Sequence, residues 1–304
     1  MIKRIAVLFL TVFSFSVSAD EIYRERMKEL IREIRNNTTK ERIIITQNGS
    51  EVYFKDRNPD RDFFALVDGA SQESLIYGEN GKLSSKTSAS EKKSLLENLL
   101  VVKDGGKTVF SVNYAKGKSA QKVIDKESRR YGFVGEAVPG FEADVLNVPI
   151  RGFNRKNIYS LKDADNFLYL LNPHKFKNID EYFRILAKSN YDVLIIEPSV
   201  KGKFFSREQV EKLKYKATGE RRIVIAYFSI GEAEDYRSYW KDEWSKKLPQ
   251  WIEAENKNWK GNYIVQYWSP QWREIVQNYQ KNLDAIGVDG YYLDTIDSFY
   301  YFEP

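Results

Sequence analysis

The sequence has no cysteine and a single histidine, His174, in 304 residues. That excludes disulfides, thiol nucleophiles and the common Cys/His zinc sites, so no metal or other cofactor is expected. A Ser–His–Asp arrangement would have to use His174 in "NPHKF", and no G-x-S-x-G accompanies it. "GENGKLS" (78–84) has two residues between its glycines, which fails the spacing of a phosphate loop. An excess of one charge is also missing. The 48 Lys and Arg against 43 Asp and Glu leave +5. That is too little to argue for nucleic acid or an anionic membrane as partner.

A long apolar run is found only at the start, and there it is short for a bilayer. "MIKRIAVLFLTVFSFSVSAD" has a basic tip (Lys3, Arg4), apolar residues from Ile5 to Val17, and Ala19 at a small-residue exit. This predicts a signal peptide over 1–19, with a secreted or periplasmic protein after cleavage and no membrane partner. Losing Lys3 and Arg4 lowers the formal charge to +3. Residues 20–304 are long enough to bury a core without disulfides and to form one α/β domain.

Short apolar blocks recur along this stretch. "RIIITQNG" (42–49), "FALVDGASQES" (64–74), "TVFSVNYA" (108–115) and "RYGFVGEAVP" (130–139) are the first four. "NFLYLLNP" (166–173), "YDVLIIEPS" (191–199), "RIVIAYFSIGE" (222–232) and "VDGYYLD" (288–294) complete eight. Apolar blocks rather than alternating ones suit strands buried on both faces. Helical spacing appears between them, in "EKKSLLENLLVV", "IDEYFRILAKS", "SREQVEKLKYKA" and "PQWREIVQNYQKNLDAIG", the last bracketed by Pro270 and Gly287. The stretch 138–165 reads as a surface connection. Strands alternating with helices predict parallel pairing and a (β/α)₈ barrel, with a doubly wound open sheet as the alternative.

A closed barrel also accounts for the two ends of the chain. The helix of "EIYRERMKELIREIRNN", with Ile22, Met27, Leu30, Ile31 and Ile34 on one face, has no strand before it. The last strand has no helix expected after it. The last strand should therefore pair with the first, with the N-terminal helix over the seam.

Two segments look alike, "VDGASQE" (67–73) and "VDGYYLD" (288–294). Each carries a carboxylate four residues after its glycine. Strand side chains alternate, so Gly69, Ser71 and Glu73 share a face, as do Gly290, Tyr292 and Asp294. Glu73 and Asp294 then end next-but-one strands of a ring at equivalent heights, with Glu197 and Glu136 as further members of the layer. Crowded carboxyl groups drive one another's proton affinities apart, which suits glycoside hydrolysis. Glu232, Asp297, Asn48, Asn113 and Tyr227 also follow or end strands. All six tryptophans fall within 240–272. Such aromatics serve packing more often than sugar stacking, and Trp272 has core spacing.

These residues carry a family resemblance. "YFSIGEAEDYRSYW", "GVDGYYLDTIDSF", "TQNG" and "VDGASQESLIYG" resemble the barrel of glycoside hydrolase family 114, which includes endo-α-1,4-polygalactosaminidases. The resemblance implies Asp294 and Glu73 as the catalytic pair, with Asp294 as nucleophile and Glu73 as acid/base, or the reverse. It implies a polysaccharide substrate, retention of configuration, and Glu197, Glu232, Asp297, Tyr227, Asn48 and Tyr114 around the sugar. The order departs from the family, since "QNG" and "ES" come first here. The chain looks like a circular permutant. Asn113-Tyr114 stands where relatives often have Asp-Tyr. A non-catalytic carbohydrate-binding barrel is the second functional reading.

Overall fold

A computed structural model describes residues 19–146 and 150–304. Apart from Ala19, the leader expected at 1–19 lies outside the described residues. Eight strands form one parallel sheet: β1 (Ile43–Gln47), β2 (Gly69–Glu73), β3 (Thr108–Tyr114), β4 (Val134–Val138), β5 (Phe167–Leu170), β6 (Val193–Ile196), β7 (Ile223–Ser229) and β8 (Gly290–Asp294). Their order is β4-β3-β2-β1-β8-β7-β6-β5, with β4 and β5 at the one open seam. The fold is a (β/α)₈ barrel, as the alternation of strands and helices predicts.

Side-chain parity separates two cores. Ile45, Phe110, Val112, Phe167, Val193, Ile195, Ile225 and Tyr292 fill the barrel. Ile44, Val109, Leu168, Leu194, Val224 and Leu293 point outward to the helices. Both faces are apolar, so the strands read as continuous blocks. The helices are α1 (Ala19–Asn36), α2 (Arg61–Leu66), α3 (Ala89–Asp104), α4 (Lys118–Tyr131), α5 (Ile179–Ala187), α6 (Arg207–Leu213), α7 (Pro270–Ile286) and α8 (Phe299–Phe302). Gly287, at φ +81°, ends α7 in the left-handed conformation that glycine adopts without strain.

The first and last strands pair, Ile43 opposite Gly290 and Thr46 opposite Leu293. Helix α1 covers this join through Met27, Leu30, Ile31 and Ile34, all buried, whereas Ile22 remains 42% exposed. Gln280 Nε2 donates to the Ile34 carbonyl at 2.8 Å. The Arg24 guanidinium donates to both oxygens of Glu303, at 2.6 and 2.8 Å. The N-terminal and C-terminal segments are thus tied by packing and by a two-pronged ion pair.

Several elements differ from the sequence expectation. Residues 61–66 fold as α2, because the Asp60 side chain accepts from Phe63 N at 3.1 Å and caps a helix, so the strand expected within 64–74 begins only at Gly69. Helix α4 was not expected, since its buried face is only Ala120, Ile124 and Ser128. Strand β8 is followed by a 3₁₀ turn, Ile296–Ser298, and the one-turn α8. Between β7 and α7 the chain also builds a small antiparallel sheet from Glu232–Glu234, Asn262–Val265 and Ile252–Glu255.

Candidate active site

At the C-terminal mouth of the barrel lies a cavity of about 680 Å³. The ends of β1, β2 and β8, which contribute to its lining, turn through three non-glycine residues with left-handed backbones: Asn48 (φ +56°), Ser74 (φ +55°) and Thr295 (φ +60°). This conformation is costly for a β-branched residue. Thr295 is held there by its hydroxyl, which donates to the Asp294 carbonyl at 2.6 Å and accepts from Gly231 N at 2.8 Å. The turn delivers Asp294 and Asp297 to the same cavity.

Glu73 is fixed from three sides. Asn48 Nδ2 donates to Oε2 at 3.1 Å, and Asn48 Oδ1 accepts from the Glu73 backbone N at 3.0 Å. The Tyr169 hydroxyl donates to Oε1 at 3.1 Å, and the Tyr114 hydroxyl donates to the same oxygen. Beneath, the Tyr292 hydroxyl donates to Ser71 Oγ at 2.8 Å and also meets Gln47 Oε1. Polar side chains facing inward from β1, β2 and β8 thus form the floor under the carboxylates.

Asp294 accepts from Thr295 N at 2.8 Å and interacts with the Tyr227 hydroxyl. Burial, and then the charges of Glu73 and Asp297, push its carboxyl well above the ordinary carboxylate range. Asp297 is pushed up to about 7, by burial first and then by Glu73 and Glu232. Burial raises Glu232 as well, against the hydrogen bonds from Asn256 and Asn262; Asn256 Nδ2 donates to its Oε1 at 2.8 Å. Among the described lining residues six carboxyl groups (Glu73, Glu142, Glu232, Glu234, Asp294, Asp297) face one cation, Lys260. No group of three or more His, Cys, Asp or Glu among the described residues is arranged to hold a metal ion.

The structure brings together Asp294, Glu73, Glu232, Asp297, Tyr227, Asn48 and Tyr114 around this one cavity. It sets Glu197 apart. Glu197 is buried in a bidentate pair with Arg237, at 2.9 and 2.8 Å, and lines a neighbouring cavity. Glu136 is buried on β4, away from the lining. Asn113 points to the other side of β3, where its Oδ1 accepts from Ile76 N at 2.8 Å and shapes the loop after β2.

Several lining residues escaped the sequence reading. Tyr169 is one, although the parity Phe167–Tyr169 on β5 places it inside. Asn262 starts a strand of the small sheet and Asn256 directly follows another, and these short polar strands give little signal. Of the tryptophans, Trp240, Trp244, Trp251 and Trp272 form a packed chain with centroids 5.2–5.7 Å apart. Trp268 packs on Tyr23 and Phe302. Trp259 lines the cavity at 44% exposure, and Tyr301 joins it at 51%. Exposed aromatic rings at a polar cavity are suited to stacking on sugars.

Comparison with known proteins finds a family match in the second half of the chain. Residues 160–303 match the model of glycoside-hydrolase family GH114, a match that points to glycoside hydrolysis and a carbohydrate substrate. Similar chains include an uncharacterized protein of Methanocaldococcus jannaschii, 40% identical over 153 residues, covering 49% of this chain and 42% of that one. An uncharacterized protein of Thermotoga maritima is 37% identical over 137 residues, covering 45% and 40%. A third, from Deinococcus radiodurans, is 42% identical over 84 residues, covering 28% and 27%. The chain thus spans less than half the length of these relatives. Asp294 lies inside the matched family stretch and Glu73 outside it.

Proposed function

From the match of residues 160–303 to the model of glycoside-hydrolase family GH114, we propose that the chain hydrolyses α-linked amino-sugar polysaccharide with Asp294 and Glu73 as the reacting carboxyl pair. The observation that carries this reading is that both line one cavity although the chain separates them by more than two hundred residues. Paired carboxyl groups at a barrel mouth are the recurrent machinery of glycosidic cleavage. Asp294 would attack the anomeric carbon as Glu73 gives a proton to the leaving oxygen. Water, with its proton taken by Glu73, would then release the sugar with retained configuration. The Asn48, Tyr114 and Tyr169 donors keep Glu73 in place through both steps.

Glu73, Glu142, Glu232, Asp294 and Asp297 against Lys260, with Glu234 already paired to Arg237, favour a cationic polymer, and deacetylated galactosaminan fits. The ammonium would also offset the repulsion that raises Asp294. Trp259 and Tyr301 would stack on flanking rings, and Glu232, Asp297 and Tyr227 would bind the reacting sugar. The leader expected at 1–19 would take the protein out of the cytoplasm. We also propose that the motif order is a circular permutation, since the family match ends at 303 while "TQNG" and the Glu-Ser of 73–74 precede it. The test is incubation of the full chain with deacetylated galactosamine polymer, with the first-formed product followed by NMR. Shortened oligomers of unchanged anomeric configuration are expected. Inverted products overturn the retaining mechanism, and intact polymer with folded protein overturns the substrate.

A further inference from the structure

A second cavity, of about 300 Å³, adjoins the acidic one. Leu171, Asn172 and Tyr236 line both, so the two cavities are direct neighbours. That volume lies at the small end of ligand cavities, roughly 300–1,000 Å³, and suits a single sugar unit.

The two cavities differ in charge. Arg237 lies in the wall between them. Its Nε bonds Glu234 of the first cavity at 2.6 Å, and its two terminal nitrogens bond Glu197 of the second at 2.9 and 2.8 Å. Arg237 also donates to the Tyr279 hydroxyl at 2.7 Å, and Ser199 Oγ donates to Glu197 at 2.5 Å. Glu197 is the carboxylate among the second cavity's described lining residues, and its charge is already met. Exposed Lys201 adds a positive charge, and Phe204 and Val200 give apolar walls. An ammonium gains nothing there, whereas an uncharged ring can lie against the aromatic walls.

Resting on the glycosidase reading above, we propose that the second cavity is an adjoining subsite that takes an uncharged sugar unit of the same polymer. The protein would then read charge alternation along its substrate, with an ammonium sugar in the acidic cavity and a neutral one beside it. An N-acetylated unit is the chemical class that meets this requirement in an amino-sugar chain.

The test is calorimetric titration of the full chain carrying Glu73→Gln, which separates binding from cleavage. The probes are a fully deacetylated galactosamine hexasaccharide and the same hexasaccharide with one internal unit N-acetylated. The acetylated probe is expected to bind roughly fivefold more tightly. Adding Ser238→Trp, on an exposed residue lining the second cavity, should bring the two probes to parity, and Lys201→Glu should shift preference back toward the deacetylated probe. Equal affinities without Ser238→Trp, or a preference that survives it, overturn the subsite while leaving the glycosidase reading in place. Failure of both probes to bind overturns that reading and this one with it.

Discussion

The Tyr169 hydroxyl on β5 donates to Glu73 Oε1 on β2 at 3.1 Å, across the interior of the barrel. Tyr114 donates to the same oxygen and Asn48 to the other. A carboxylate held by three neutral donors has one orientation, and each donor lost loosens it. Tyr169→Phe keeps the ring and removes the hydroxyl. A hydrogen bond to a charged group is worth about 1.5–3 kcal/mol, so kcat on galactosamine polymer should fall roughly 10–100-fold. The melting temperature should fall by several degrees, because the same bond also stabilises the fold. Unchanged kcat would mean that this oxygen is not held for catalysis.

Asp297 offers a test by pH. Its carboxyl, about 3.9 when unfolded, is pushed up to about 7 in the fold. Between those values the folded protein keeps a proton that the unfolded chain has released. This group therefore costs stability progressively as pH rises from about 4 to 7. Asp297→Asn cannot ionise, so its stability curve should be flatter over that range. It should also be more stable than the parent at pH 8, by on the order of 4 kcal/mol. Urea midpoints at pH 5 and pH 8 measure this. Parallel curves for the two proteins would show that Asp297 is not strained by its neighbours.

Asp294 makes a related prediction for binding. Burial and the nearby Glu73 and Asp297 favour its protonated form in the empty cavity. An ammonium entering that cavity favours the ionised form, so binding should release protons. At pH 6 a galactosamine oligomer is already charged, and its binding heat should depend on the ionisation heat of the buffer, with the sign of release. Heats independent of buffer would argue that no carboxyl group responds to the cation.

Gly231 lies where the loop after β7 crosses the turn after β8. A Cβ there would sit 2.0 Å from the Thr295 carbonyl oxygen and 2.6 Å from Ser298 Oγ. Gly231→Ala must push the turn carrying Asp294, Thr295 and Asp297. Overpacking costs about 1–3 kcal/mol, and kcat should fall because the carboxyl pair is displaced. A variant with parental melting temperature and activity would show that the turn yields freely.

The barrel was legible because its strands are apolar on both faces, as in "VLII" and "IVIAYFS", and because parity needs only counting. The same counting placed Glu73 and Asp294 inside. It also put Glu197 inside, but Arg237, forty residues further on, takes up its charge, and no periodicity reveals a partner that distant. The small sheet at the mouth has strands of three or four residues with polar faces, so Asn256, Asn262 and Trp259 gave no pattern to follow. The left-handed Thr295 was hidden for a different reason. It opposes the preference of a β-branched residue, and only the tertiary hydrogen bonds to its hydroxyl hold it there. Helix α2 was missed because a single cap, Asp60 accepting from Phe63 N, starts it beside a run that reads as strand.

The most direct measurement is reducing-end release from deacetylated α-1,4-linked galactosamine polymer by the parent chain and by Glu73→Gln, both checked for folding. Release by the parent that drops by roughly 10²–10⁴-fold in the variant is the result that a Glu73–Asp294 glycosidase requires. Equal release by both proteins would remove Glu73 from the machinery. No release by a folded parent would contradict the assignment of this polymer as substrate.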